Sequence, residues 1–195
     1  MNAAVAMRFQ GVVAGDSVLC GEADLVARAR QGDPRAFEAL VSRHMRGVLN
    51  LAYRIVSDRD AAEDVAQESF INAYRQLPRF RGDAGFATWL YRITVNEARM
   101  HLRSAKRRQA RTEKLGLWES PGAETTEIAE EGGPLTELLQ ELPEKQRVAL
   151  ALFYLQELSL QEIADAAGAP TGTVKAWLSR GRTRLRELAE ERKLL

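Results

Sequence analysis

The chain holds a single cysteine, Cys20, among its 195 residues, so it cannot close an internal disulfide or build a zinc site from thiolates. Histidine is almost as scarce, with two residues, His44 and His101. Glu97 and His101 share a face at i, i+4, yet no other histidine or cysteine lies near them in sequence to complete a metal site. His44 has apolar neighbours at helical spacing, which suits a core or boundary histidine. No uninterrupted apolar run approaches the about 18–20 residues that a membrane-spanning helix needs. Arg8 is the only basic residue among the first twenty, with Gln10, Gly11 and Asp16 following, a pattern unlike a secretory signal. The expectation is a soluble cytoplasmic protein. The chain also lacks a phosphate-binding glycine loop and a nucleophile elbow. With no legible active site, neither a metal nor a cofactor is expected. An apolar fraction of 45% and a charged fraction of 28% still indicate a globular chain rather than a disordered one.

A net charge of +1 conceals strong segregation. Residues 79–114 carry ten basic and three acidic groups, residues 115–144 carry eight acidic groups and no basic one, and residues 145–195 carry nine basic and six acidic. Two cationic blocks therefore flank an acidic one, an asymmetry that points to nucleic-acid contact.

Apolar spacing predicts helices almost throughout and an all-α fold. A short helix is predicted over about residues 22–31, stopped by Gly32. Asp33 then caps a long helix that has Pro34 in its first position and an inward face of Phe37, Leu40, Val41, His44, Met45, Val48, Ala52, Ile55 and Val56. A third helix starts near Asp58 or Asp60, buries Ala62, Val65, Ala66, Ser69, Phe70, Ala73, Tyr74 and Leu77, and closes at Pro78. A fourth runs from about Phe86 or Thr88 to Arg108. Residues 112–133, rich in glycine, proline and glutamate, read as a flexible acidic linker. Two small helical domains are expected around it, at 21–111 and 134–195, after a disordered tail at 1–20. Near the C-terminus Ser159 and Glu162 form a capping box, Gly168 permits a turn, and Pro170-Thr171 opens a last helix. This is helix-turn-helix spacing, in which the second helix enters a major groove.

The last helix carries Thr171, Thr173, Lys175, Ala176, Ser179, Arg180, Arg182 and Arg184. Side chains near its start can reach base edges, and the later arginines can meet phosphates. The first basic block differs, because residues 80–91 hold four of the chain's thirteen aromatic residues: Phe80, Phe86, Trp89 and Tyr91. Arg79 and Arg81 interleave with them, an arrangement that suits an exposed single strand. Arg92, Asn96, Arg99 and Arg103 then recur every three or four residues, followed by Lys106, Arg107 and Arg108. On the third helix Asp64, Gln67, Glu68 and Ile71 share a polar side on which one exposed isoleucine would fit a partner helix. A stand-alone DNA-binding regulator would use the helix-turn-helix and leave the 79–108 cluster unexplained. An all-α enzyme is the third alternative.

The run Asp64-Val65-Ala66-Gln67-Glu68-Ser69-Phe70, followed by Phe86-Ala87-Thr88-Trp89-Leu90-Tyr91-Arg92-Ile93 and Asn96, resembles region two of the extracytoplasmic-function (ECF) sigma factors of bacterial RNA polymerase. Leu142-Pro143-Glu144-Lys145-Gln146-Arg147, Glu162-Ile163-Ala164, Gly172-Thr173-Val174-Lys175 and Ser179-Arg180-Gly181-Arg182 resemble region four. The likeness covers about residues 24–108 and 135–191. It implies a non-catalytic promoter-specificity subunit. Asp64, Gln67, Glu68 and Ile71 would dock the clamp coiled coil of the largest polymerase subunit, and region four would meet the flap of the second-largest. Arg79, Phe80, Arg81, Phe86, Trp89 and Asn96 would hold a flipped base of the −10 element, with Arg92, Arg99, Arg103, Lys106, Arg107 and Arg108 on the backbone. Lys175, Ala176, Ser179 and Arg180 would face the −35 element, with Thr171, Thr173, Arg182 and Arg184 beside them. The resemblance also admits an anti-sigma protein as a partner, which no residue here identifies.

Overall fold

Helix follows helix in the computed structural model, which describes residues 21–114 and 134–194. The tail with Cys20 and the acidic segment 115–133 lie outside the described residues. The first helix, α1, spans Glu22–Arg30, and Gly32 takes a positive φ of 93° just beyond it. Asp33 then starts α2 (Pro34–Val56) by accepting from the amides of Arg35 and Ala36, at 2.9 and 3.3 Å. This satisfies two of the donors that any helix start leaves open. Arg28 donates to the same carboxylate at 2.7 Å, and that bond is the largest influence holding Asp33 below its usual carboxylate range. Asp58 caps α3 (Arg59–Gln76), accepting from the Ala61 amide. Pro78, which cannot extend the ladder, sits in a 3-10 turn at Leu77–Arg79.

The fourth helix, α4, spans Phe86–Lys114 and so runs six residues beyond the predicted end at Arg108. Nothing from Gln109 to Lys114 breaks a helix, and the Thr112 hydroxyl donates back to the Arg108 carbonyl. Leu40, Leu51, Ile55, Leu77, Leu90 and Val95 fill the space among α2, α3 and α4 with side chains almost wholly removed from water. Each of these leucines, and Ile55, contributes about 1.5–3 kcal/mol by that burial. Tyr74 corrects the predicted inward face of α3. It is 48% exposed, resting edge-on against the Phe37 ring at 4.9 Å.

The second group of helices comprises α5 (Pro134–Gln140), α6 (Glu144–Tyr154), α7 (Leu160–Ala167) and α8 (Thr171–Glu191). Both halves of the predicted capping box are present. The Glu162 amide donates to Ser159 Oγ at 3.3 Å, and the Ser159 amide donates to the Glu162 carboxylate at 2.9 Å. Gly168 adopts the left-handed conformation (φ 64°) that ends α7 and turns the chain into α8. Ile163, Val174 and Leu178 fill the angle between these helices, against Leu150 and Leu152 of α6.

Sequence patterning predicts two modules and a tether. The structure adds that the modules dock, α7 against α4 and α6 against α2, with one continuous apolar core running through both. Thr88, Arg99, Arg147 and Gln156 make polar links across the seam. Thr88 donates to Glu162 (3.2 Å), Arg99 reaches both Glu144 (2.9 Å) and the Ala167 carbonyl (3.2 Å), Arg147 donates to the Ile55 carbonyl (2.9 Å), and Gln156 donates to the Gly47 carbonyl (3.2 Å). A Cβ at Gly47 would lie 2.6 Å from Tyr91 Oη and 2.9 Å from Gln156 Oε1, so both side chains would have to shift to admit one.

Candidate nucleic-acid interface

Three faces carry the residues singled out from sequence. On α3, Asp64, Gln67 and Glu68 are exposed and Ile71 is half-buried. They follow the solvent side of a helix whose other side is fixed by Val65, Ala66, Ser69 and Phe70. Ser69 satisfies its buried hydroxyl by donating to the Val65 carbonyl at 2.6 Å. Asn72 donates to Glu97 at 3.0 Å and thereby ties α3 to α4.

The second face is built on the loop before α4 and on α4 itself. Arg79 and Arg81 are exposed at the loop, whereas Phe80 and Phe86, at its two ends, are buried at 9% and 4% exposure. A base cannot stack on either phenylalanine in this arrangement. Their rings support Trp89 instead, with centroids 4.9 Å (Phe80) and 5.6 Å (Phe86) from the indole, which is itself half-buried. Patterns of aromatic density cannot separate a stacking platform from the rings beneath it. Beyond Trp89, the exposed residues Arg92, Asn96 and Arg103 follow one side of α4 and lead to Lys106, Arg107 and Arg108.

Arg99 belongs to the same helical stripe but not to the open surface. Its guanidinium is held by Glu144 and by the carbonyl of the last α7 residue, where a helix end carries partial negative charge. Periodicity assigns Arg99 to the correct face; the module that covers part of that face is remote in sequence.

The third face is α8. Lys175, Ser179 and Arg180 are exposed, while Thr171, Thr173 and Ala176 are half-buried. Arg180 Nε donates to the Ala176 carbonyl and Arg182 Nε to the Leu178 carbonyl. Arg184 is drawn into ion pairs with Glu187 (3.1 Å) and Glu191 (3.6 Å), and the Glu187 bond is the main cause of its raised pKa. Helical spacing does not join Lys145 and Trp177 to the site, because the two lie on different helices. The Lys145 ammonium is 5.9 Å from the indole centroid, and the two residues line a cleft of about 430 Å³ together with Arg99 and Arg103. That cleft brings the cationic side of α4 next to the start of the helix-turn-helix.

With this geometry in hand, comparison with known proteins is specific. Residues 40–108 match the family model for sigma-70 region 2, and residues 132–185 match that for sigma-70 region 4. The chain is 41% identical over 170 residues to the RNA polymerase sigma-H factor of Pseudomonas aeruginosa, an alignment covering 81% of this chain and 88% of that one. It is 39% identical over 170 residues to the ECF RNA polymerase sigma-E factor of Escherichia coli K12, covering 81% and 88%. Among solved structures, CnrH in complex with the cytosolic domain of CnrY superposes with a TM-score of 0.65 at 28% identity, covering 86% of this chain and 96% of that one. The two matched regions, in this order on helical modules, define an RNA polymerase sigma factor of the sigma-70 class. The chain belongs to its ECF family.

Proposed function

We propose that the protein directs core RNA polymerase to its promoters through three separate faces, with no catalytic residues of its own. Asp64, Gln67, Glu68 and Ile71 on α3 dock the polymerase clamp, and the flap meets the module at 134–195. Trp89 and Asn96, with the Arg79–Arg81 loop, capture a −10 base, while Arg92, Arg103 and the 106–108 run grip the backbone. Flipping one base costs a few kcal/mol. A tryptophan already braced by two buried rings loses little conformational freedom in meeting that base, which helps to offset the cost. Lys175 and Arg180 read the −35 element, with Ser179, Ala176, Thr173 and Arg182 beside them. An anti-sigma protein enters as an expectation of family membership. The assignment to the cytoplasm follows from a role in transcription; no helix among the described residues is long and apolar enough to cross a membrane.

The observation that carries this proposal is the exposed Arg92–Asn96–Arg103 side of α4, which starts at the half-buried Trp89. Two promoter elements about two helical turns apart require roughly 70 Å between reading sites. Arg103 of α4 and Lys145 and Trp177 of the second module line one cleft, so promoter binding requires the docked modules to part. The segment 115–133 can span at most about 65 Å when extended, which, with the modules' own widths, is sufficient. The test is permanganate footprinting with purified core enzyme on a transcribed promoter. Trp89→Ala or Asn96→Ala abolishes −10 thymine reactivity while core binding is retained; unchanged reactivity overturns the assignment.

A further inference from the structure

Two ionisable side chains are buried in the first module, and none of the faces above uses them: His44 and Tyr91, at 8% and 7% exposure. Of the two, His44 meets Glu22, the first residue of α1, directly. His44 Nε2 lies 3.0 Å from the Glu22 carboxylate, to which it donates. On its other side the imidazole packs against Phe86, with ring centroids 5.3 Å apart and planes inclined by 53°. Phe86 in turn meets Phe80 edge-on at 6.1 Å and Trp89 at 5.6 Å. The three aromatic rings therefore close the two ends of the loop at 80–86 on each other, and the imidazole is the floor beneath one corner.

We propose that Glu22 and His44 are a positioning pair for promoter opening, fixing the Phe86 ring and through it Trp89 and the 79–85 loop. An imidazole can turn about its last bond almost as freely as a phenyl ring, but only one orientation keeps Nε2–H on a carboxylate. A hydrogen bond of 3.0 Å to that carboxylate selects the orientation. Burial keeps the imidazole neutral by lowering its pKa, so the pair does not need to open to take a proton at neutral pH. Fixing one ring in a triangle of mutually packed rings fixes the others, because close-packed side chains have discrete arrangements rather than a continuous range. The proposal rests on the assignment of Trp89 to −10 capture, and its test separates the two.

Full-length variants are assembled with core polymerase on a promoter with both elements, and four quantities are read: core affinity, −35 duplex affinity, −10 permanganate reactivity and thermal unfolding. Trp89 emission is followed in a Trp118→Phe, Trp177→Phe background. Glu22→Ala lowers −10 opening about tenfold with core and −35 affinities unchanged, and it shifts the Trp89 emission. Glu22→Gln, which can still accept from Nε2, restores opening to within about twofold. The pair is refuted if Glu22→Ala opens promoters like the parent while Trp89→Ala cannot. It is also refuted if opening, core binding and thermal stability all fall together. If Trp89→Ala opens promoters normally, the −10 assignment fails and the pair's role fails with it. His44→Ala supplies a second route, and its effect added to Glu22→Ala is expected to be no larger than either alone.

Discussion

Arg147→Met tests whether the two modules are held by the contacts that cross their seam. The Arg147 guanidinium donates through Nη2 to the Ile55 carbonyl near the end of α2 (2.9 Å) and through Nη1 to the Gln140 carbonyl (3.2 Å). Only the first of these bonds crosses the seam. Hydrogen bonds from a charged donor contribute about 1.5–3 kcal/mol each. Two facts reduce that figure. Burial lowers the Arg147 pKa, so holding the cation there has a cost, and its Nε finds no acceptor among the described residues. Methionine keeps the apolar stem and removes both the bond and the buried charge. The net weakening of docking is then about 1–2 kcal/mol, a shift of about 5- to 30-fold toward separated modules. Labels at Ser42 of α2 and Thr183 of α8, both exposed, report the separation by energy transfer in a Cys20→Ser background. The expected result is a larger low-transfer population with unchanged helix content. Thr88→Val, which removes a cross-seam bond and nothing within either module, should move the distribution the same way. An unchanged distance distribution in both variants would refute a contribution of these polar links to the docked population and leave the shared apolar core to set it.

Other outcomes follow from local geometry. Ser159→Ala removes one half of the capping box and should cost about 1 kcal/mol, read as a lowered Tm; no change would mean that water satisfies the freed amide equally well. Acidification should destabilise the fold. Burial first, opposed by Glu22, holds His44 below its ordinary 6.5, so the unfolded chain takes up a proton that the folded chain resists. Stability is therefore lost as pH falls below about 6.5, and urea unfolding at pH 7.5 and 5.5 should show a drop that His44→Gln abolishes. Glu162 acts in the same direction at lower pH. Its pKa is lowered from 4.5 chiefly by its bond with Ser159, so its contribution is present above that value and disappears as pH falls through the folded one. Arg180→Ala should reduce discrimination among −35 sequences by about 1–3 kcal/mol, measured by competition binding, and a uniform loss on all sequences would place Arg180 on the phosphates instead.

Features encoded within a few residues are legible in the sequence itself. Asp33 with Pro34, Ser159 with Glu162, and Gly168 each satisfy or redirect a helix end through neighbours no more than a turn away, so the helix order and the helix-turn-helix follow from the chain alone. The exposed cations of α4 and α8 are equally accessible, since helical periodicity assigns a side chain to a face. Periodicity does not say what packs on that face. It points Tyr74 inward, yet that ring lies half in solvent, and it counts Arg99 in an open stripe, yet Glu144 holds it; aromatic density, in turn, groups Phe80 and Phe86 with Trp89, yet they are its buried support. The Glu22–His44 bond joins residues 22 apart, and the Arg147–Ile55 bond joins residues 92 apart. Local order determined that this chain makes two cationic helical modules with the residues of an ECF sigma factor. Tertiary packing alone decided which of those residues remain open to a partner, because exposure depends on the distant segments that come to rest against them.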